Sequence, residues 1–594
     1  MSLKQLASTG MERLKRQEMI YFSLLAVLIG VLAGYAALLL RFSIEWVAHF
    51  WTGDFAWDKT IETLPWYMYI LAPTLGGLLI GSINKKLLPG GELRGVAGVL
   101  ADMVQHNARI NPKQMGTETI GGAISIGSGA SLGREGPTVA LGAVIASSLG
   151  NWLGLTEQQM RTMVGCGVAS AIAASFNTPI AGVLFALEVI LADYAMATFS
   201  PIVISSVIAT VITRSVLGNF PAFLIPEYHL VSAWEIVAYA IIGIFCGLIA
   251  AIFVRSMAPT RIFFMRLIPD SRFRPAVAGL ILGLMGLCVP YIMSIGYGTL
   301  GSILLEQVKP VLLGTTLPLT AFLAIVLFGK LVAAVISFSA DFPGGLLGPS
   351  LFLGAAAGAL CGGVVHDISP AFTESYGAYA LVACGALTAA ALQAPITIIL
   401  MVFELSADYH IMLPMMAASI IATLVKRAFG SESVFTEVLE ERGIETSWGL
   451  EQSWMRSIRV KDIPWRPMPS VSAHTRLEEV KRVYVSSGKG CVQVVDDEGL
   501  MIGIITFTDL QPWMLDPAMD HVALAIEVVN RKVRTIAEDG SLLEAIRILD
   551  REAFEQMPVV SRNNPRKVLG ILSRNAVFST YHKLIVKHGK QADG

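Results

Sequence analysis

Arg134 and Glu135 stand side by side inside a long apolar region, within Gly127-Ser-Gly-Ala-Ser-Leu-Gly-Arg-Glu-Gly-Pro-Thr-Val-Ala-Leu-Gly142. The glycines suit a bent loop, and Pro137 suits the first turn of a helix. No charged residue follows between Gly136 and Thr156. The spacing therefore predicts a helix N-terminus deep in an apolar medium, with unpaired N–H groups and a positive dipole end. Such an end attracts anions, and Glu135 is placed to be the anion it holds when no other is present.

The elements that position this loop recur along the chain. Gly133-x-x-Gly136-Pro137-x-x-x-Leu141-Gly142-Ala143 is matched by Gly345-x-x-Gly348-Pro349-x-x-x-Leu353-Gly354-Ala355. Pro179 stands nine residues before Glu188, and Pro395 stands nine before Glu404, each after an Ala-rich run. Two motifs repeated in the same order point to two related halves. Gly/Pro-broken apolar segments at matching places put a transport site at the repeat interface.

Composition sets the medium. The chain has 594 residues, 54% hydrophobic and 15% charged, with a mean hydropathy of +0.62. A soluble protein carries about 25% charged residues. Long, non-alternating apolar runs give a helical membrane protein rather than a barrel. The net charge of −1 selects no partner and gives no sign of nucleic-acid binding. The cysteines at 166, 246, 288, 361, 384 and 491 show no paired spacing and read as small apolar residues. The nine histidines show no metal-ligand spacing.

Residues 1–18 read as an amphipathic, cytoplasmic N-terminal helix with Lys4, Arg13, Lys15 and Arg16. Met19–Leu40 is the first span, too long for the core of a signal peptide. Trp46, Trp51, Trp57 and Trp66 suggest an interface belt, with 50–64 as an external loop. Further apolar segments, several broken by Gly or Pro, recur from 67 to 428. Broken backbone at membrane depth is tolerated where it lines a cavity or lies buried in protein. Segments 84–116 and 255–274 are more polar and are expected at the surface.

The expected membrane domain is 19–428, with halves of about 19–230 and 231–428. A polar linker, 429–456, leads to a soluble α/β unit at 457–594 that is itself duplicated. The first copy has Val460-Lys-Asp-Ile463, helix Leu477–Ser487 and strands Cys491–Asp496 and Met501–Thr506. The second has Leu543–Arg551, Met557–Ser561 and Val568–Ser573. This order resembles a tandem CBS-domain pair. Gly503-Ile-Ile-Thr506-Phe-Thr-Asp509 resembles that family's nucleotide-ribose motif, whereas Gly570-Ile-Leu-Ser573-Arg-Asn-Ala576 lacks the closing acid. The resemblance allows one adenine-nucleotide site, at Thr506 and Asp509. The alternative is a structural dimerisation and gating module without a ligand.

Gly133-Arg-Glu-Gly-Pro137, Ser175-Phe-Asn-Thr-Pro-Ile-Ala-Gly182 and Gly344-Gly-Leu-Leu-Gly-Pro349 resemble the CLC family of chloride channels and proton–chloride exchangers. The resemblance implies an inverted-repeat helical fold of about 18 helices. It also implies homodimers with one pore per subunit in the cell membrane, both termini being cytoplasmic. Chloride and other small anions would be the substrates, with protons as partners in an exchanger. Glu135 matches the gating glutamate, flanked by Gly133, Arg134 and Gly136. Arg134 is expected to brace its loop by pairing with a carboxylate or carbonyl, direct anion contact being the sharper reading. Backbone N–H groups of Leu346 and Leu347 would face the anion.

Three positions depart from the family pattern. An ungapped count puts Arg94 where the family has a pore serine; it either meets the anion or pairs outside the pore, for instance with Glu92. Phe435 stands where the family has a pore tyrosine, and either forms an inner gate without a hydroxyl or only packs. Val189 stands where exchangers carry an internal proton-relay acid. The neighbouring Glu188 is either a substitute carrier or a structural acid, like its repeat partner Glu404. The expectation is channel-like anion transport, weakly coupled or uncoupled to protons, with an exchanger as the alternative. A CBS-regulated divalent-cation transporter would need clustered carboxylates, and Glu135, Glu188, Asp193, Asp341 and Glu404 are scattered. No pairing of nucleophile and base suggests an enzyme, and no cofactor besides the nucleotide is expected.

Overall fold

Apolar runs of two lengths give helices of two kinds in the computed structural model of the chain. The structure describes residues 18–60, 63–87, 95–192, 196–219, 235–368, 375–430, 432–444, 455, 458–514, 517–551, 554–562 and 564–592. Two compact units divide between Thr446 and Ser447. The N-terminal helix expected at 1–18 lies outside the described residues, apart from Glu18.

The first unit is helical. Its first half contains α1 (Glu18–Thr52), α2 (Trp57–Thr60), α3 (Trp66–Leu87), α4 (Gly95–Gln105), α5 (Pro112–Gly127), α6 (Glu135–Leu153), α7 (Glu157–Phe176), α8 (Pro179–Phe185) and α9 (Met196–Leu217). A π-helical turn, Ala186–Leu191, extends α8. The second half contains α10 (Glu235–Arg255), α11 (Met257–Leu267), α12 (Arg274–Cys288) and α13 (Tyr297–Leu304). After a small hairpin of β1 (Val311–Leu312) and β2 (Thr315–Thr316) come α14 (Leu319–Ser339), α15 (Leu347–Ile368), α16 (Tyr376–Leu392), α17 (Pro395–Ser406), α18 (Met412–Ala428) and α19 (Thr436–Glu440).

Among the described residues, six helical stretches are long and apolar enough to cross a membrane, while α4, α8, α12, α16 and α17 are apolar but shorter. Half-length helices place helix ends inside the apolar layer, where ions bind. The two halves pack alike. A methyl group on Gly142 of α6 would sit 2.3 Å from the Gly167 carbonyl oxygen of α7, and one on Gly354 of α15 would sit 2.4 Å from that of Ala383 on α16. Both helix pairs therefore cross backbone on backbone, which only small residues allow.

Several expectations need correction. Trp57 is buried, and its indole N–H donates to the Gly127 carbonyl at 2.9 Å, so it anchors α2 rather than joining an interface belt. Segment 84–116 is not all surface: α4 is buried from Gly95 to Met103, because its small and aliphatic residues pack on every side. Within 255–274, Met257 and Phe264 are buried as well. The linker expected at 429–456 begins inside the membrane unit, because Val434, Phe435 and Leu439 are buried in its core.

The second unit repeats one motif. Strand β3 (Ser470–Ser472) lies parallel to β4 (Cys491–Val495), which pairs antiparallel with β5 (Met501–Thr506). In the second copy β6 (Ile536–Ala537) lies parallel to β7 (Gln556–Ser561), which pairs antiparallel with β8 (Asn564–Ser573). Helices α20 (Leu477–Ser487), α21 (Phe507–Leu510) and α22 (Ala525–Val528) accompany the first sheet, and α23 (Leu542–Arg551) and α24 (Arg574–Ala592) the second. Each copy has its own apolar core.

Candidate functional site

Glu135 opens α6 and is 2% exposed. Its loop is locked to the matching loop of the second half: Gly133 N–H donates to Gly345 O at 2.8 Å, and Gly345 N–H donates to Gly133 O at 2.6 Å. This pair of bonds brings the N-termini of α6 and α15 together. The Glu135 carboxylate lies between them, and the Gly348 N–H of α15 approaches Oε2 at 3.4 Å. Two positive helix ends thus face one carboxylate. A methyl group on Gly133 would come within 1.9 Å of Glu135 Oε2, so only glycine leaves room for the acid.

Tyr297, at the start of α13, was not expected here. Its hydroxyl donates to Glu135 Oε1 at 2.6 Å. Arg134 lies over the Tyr297 ring, with Cζ 5.7 Å from the centroid, and Phe176 meets the ring edge-on at 6.4 Å. Arg134 also donates from Nη2 to the Ser175 carbonyl at 2.7 Å, while its buried Nε has no hydrogen-bond partner among the described residues.

The loop carrying Tyr297 is held from behind. Lys330 of α14, fully buried, donates to the carbonyls of Ile292 (3.1 Å), Ser294 (2.8 Å) and Ile295 (3.2 Å). Its ammonium lies 4.9 Å from the Phe352 ring centroid. On the other side of Tyr297, Asp58 accepts from the Gly298 N–H at 2.9 Å. A lone lysine in the apolar run Leu319–Ser339 was the available sequence signal, since charge inside a span marks function or a buried partner.

Two cavities lie near this cluster. One, of ≈ 400 Å³, is lined by Arg41, Glu45, Lys59, Arg134, Ser175 and Tyr297. The other, of ≈ 50 Å³, is lined by Ala97, Arg261, Asp341, Gly344, Glu437 and Arg442. Arg134 and Tyr297 line the larger cavity, and Gly344, which adjoins Gly136, lines the smaller. Burial, with Glu432 nearby, raises the Glu437 carboxyl above its ordinary value.

The other expected residues divide. Leu346 and Leu347 are each 2% exposed, in the turn entering α15. Phe435 is buried and meets Phe185 of α8 edge-on at 6.4 Å. Arg94 lies outside the described residues, as does Asp193. Val189 is buried, 8% exposed. Glu188 caps α17, accepting from Ile396 N–H (3.2 Å), Thr397 N–H (2.7 Å) and the Thr397 hydroxyl (2.6 Å). Glu404 does the reverse for α8, accepting from Ile180 N–H (2.9 Å) and Ala181 N–H (2.8 Å). Each half caps a helix of the other. In the second unit, Asp509 accepts from the Thr506 N–H (2.8 Å) and hydroxyl (2.6 Å), closing a capping box on α21. No group of three or more His, Cys, Asp or Glu side chains suited to a metal occurs among the described residues.

Comparison with known proteins places this geometry. The tail matches the CBS domain at residues 460–516 and 525–583. A chloride channel protein from Ralstonia nicotianae, described as ClcB-like, is 31% identical over 427 residues, covering 71% of this chain and 97% of its own length. An H(+)/Cl(−) exchange transporter, ClcA of Vibrio parahaemolyticus, is 25% identical, covering 70% of this chain and 88% of its own. A crystal structure of a eukaryotic CLC transporter superposes with a TM-score of 0.62 at 17% identity, covering 94% of this chain and 98% of that one. Residues 76–427 match the voltage gated chloride channel family, and with its paired half-helices and CBS tail the chain belongs to that CLC family.

Proposed function

We propose that the chain is a gated pathway for chloride and other small anions, with Glu135 as the gate and with weak or no coupling to protons. The observation that carries this reading is the Glu135 carboxylate, buried at the N-termini of α6 and α15 beside Arg134 and Tyr297, which line the larger cavity. It occupies the position an anion would take, and it competes with that anion. Protonation removes its charge and with it the attraction to the helix ends, so the side chain leaves and an anion enters. The unfilled Nε of Arg134, beside the larger cavity, adds a positive wall to the approach. Weak coupling is favoured by Val189, which cannot carry a proton, and by Glu188, whose two oxygens are both engaged in capping α17. The reading includes a homodimer in a cell membrane with cytoplasmic termini, as expected of the family, and a regulatory role for the CBS pair.

A second reading, proton–chloride exchange, is favoured by Glu118 of α5. This carboxylate is 1% exposed. A methyl group on Gly95 would touch both its Oε1 (3.2 Å) and Gly136 Cα (3.4 Å), so it stands close to the gate loop. Proton movement under a chloride gradient in liposomes, with voltage clamped, separates the two. The expected result is chloride flux without uphill proton movement. Proton uptake against its gradient that disappears in Glu118→Gln would establish exchange. Glu135→Gln is expected to keep chloride flux and lose its pH dependence; retained pH dependence would remove Glu135 from the gate.

A further inference from the structure

We infer that Tyr297 is the latch that holds the Glu135 gate shut and sets the pH at which it opens. The inference rests on the reading of Glu135 as the gate. Its geometry is that of a fixed donor aimed at a movable acceptor. The phenol donates at 2.6 Å to Oε1, while the helix N–H of Gly348 reaches Oε2 only at 3.4 Å. Tyr297 therefore supplies the short bond of the closed state, and a short bond to an ionised group is among the strong ones.

The donor cannot follow the acceptor when the acceptor leaves. Arg134 covers the ring face and Phe176 its edge. Lys330 fastens three carbonyls of the preceding loop, and Ser294 fastens the same loop to α5 through a bond from its hydroxyl to Ile126 O at 3.1 Å. Asp58 holds the Gly298 N–H immediately after the ring. A rigid phenol favours the one position in which Glu135 is ionised and inward. Its removal must therefore favour opening. Other charged and titratable groups face this pocket: Arg134 on α6 itself, Glu118 from α5, and Cys384 of α16 near the phenol. Arg41 and Glu45 of α1 lie near Arg134, and Lys330 and Asp58 stand behind the loop. Tyr297→Phe removes one hydroxyl and keeps the side chain of each of these groups.

The test is chloride efflux from liposomes across pH for the full chain, Tyr297→Phe, Glu135→Gln and the double variant. Loss of one charge-assisted bond is worth about tenfold or more in the open–closed ratio. Tyr297→Phe is therefore expected to raise flux about tenfold at neutral pH and to move the half-activation pH upward by about one unit. In the Glu135→Gln background the same change is expected to do nothing. Incorporation of 3-fluorotyrosine at 297, whose phenol is a stronger donor, is expected to move the midpoint downward, and it keeps the ring in place should the phenylalanine variant fold poorly. An unchanged midpoint in Tyr297→Phe, or an equal effect with and without Glu135, would overturn the latch and leave the gate standing. Undiminished pH dependence in Glu135→Gln would instead overturn the gate, and the latch with it.

Discussion

At the scale of single residues, the proposed gate depends on what is absent around it as much as on its own charge. Gly133 leaves the space that Glu135 Oε2 fills, and a methyl group there would approach to 1.9 Å. The obstructed atom is the end of a flexible side chain, so the cheapest relief is for the carboxylate to leave. Gly133→Ala is therefore expected to give a folded protein with raised, pH-insensitive chloride flux, measured by liposome efflux between pH 5 and 8. Retained pH dependence would mean that the backbone yields instead. Lys330 makes the opposite case, since its ammonium satisfies three buried carbonyls. Each orphaned polar group costs about 1–3 kcal/mol. Lys330→Met is expected to lower thermal stability in detergent by several degrees and to loosen the loop that bears Tyr297. Glu135 and Gly133 were legible as parts of one loop motif in the sequence, because they lie two residues apart. Tyr297 was not, because nothing local announces a partner 162 residues away. Lys330 was visible as a lone charge, but its carbonyl partners exist only once α12 has turned back along α14.

At the scale of elements, each half of the membrane unit completes the other. Pro179 and Pro395 begin α8 and α17 without an N–H of their own, and the next N–H groups are capped by Glu404 and Glu188 across the halves. The repeat of Pro and Glu at equal spacing was readable in the sequence. That the two acids exchange partners was not, because spacing records order along a chain and not which half a side chain reaches. Loss of a helix cap costs about 0.5–2 kcal/mol. Glu188→Ala and Glu404→Ala are each expected to lower stability by about that amount, read as thermal aggregation of the purified protein. Glu188→Gln is expected to leave chloride flux and proton movement under a chloride gradient as in the unaltered chain, since the acid serves as a cap; altered proton movement would return it to the proton path. The surface reading of 84–116 failed at α4 for a related reason. Its polar flanks hid a short helix whose small residues admit neighbours on every side.

At the scale of the whole molecule, the chain is two duplications in series, and in each the copies have diverged at an acid in the first turn of a helix. Leu347 stands in the second half where Glu135 stands in the first, so one carboxylate serves two helix ends. Ala576 stands in the second CBS copy where Asp509 stands in the first. The CBS pair was legible because one order of helix and strands recurs and Gly503–Asp509 carries a recognisable motif. The boundary before it was less so, because Val434, Phe435 and Leu439 continue the membrane core into a stretch that reads as polar. Among the described residues, the cores of the CBS copies are built from the second unit and the Glu135 cluster from the first. Removal of 457–594 is therefore expected to leave an anion pathway with the same Glu135-dependent pH response, though with altered maximal flux if the tail regulates. Asp509→Ala in the full chain, which breaks the box on α21, is expected to cost the tail about 1 kcal/mol without moving the pH midpoint. The measurement is efflux across pH for the full chain, the truncation and the point variant. A midpoint shifted by truncation would show that the tail acts on the Glu135 gate itself, and the two duplications would then form one device rather than two.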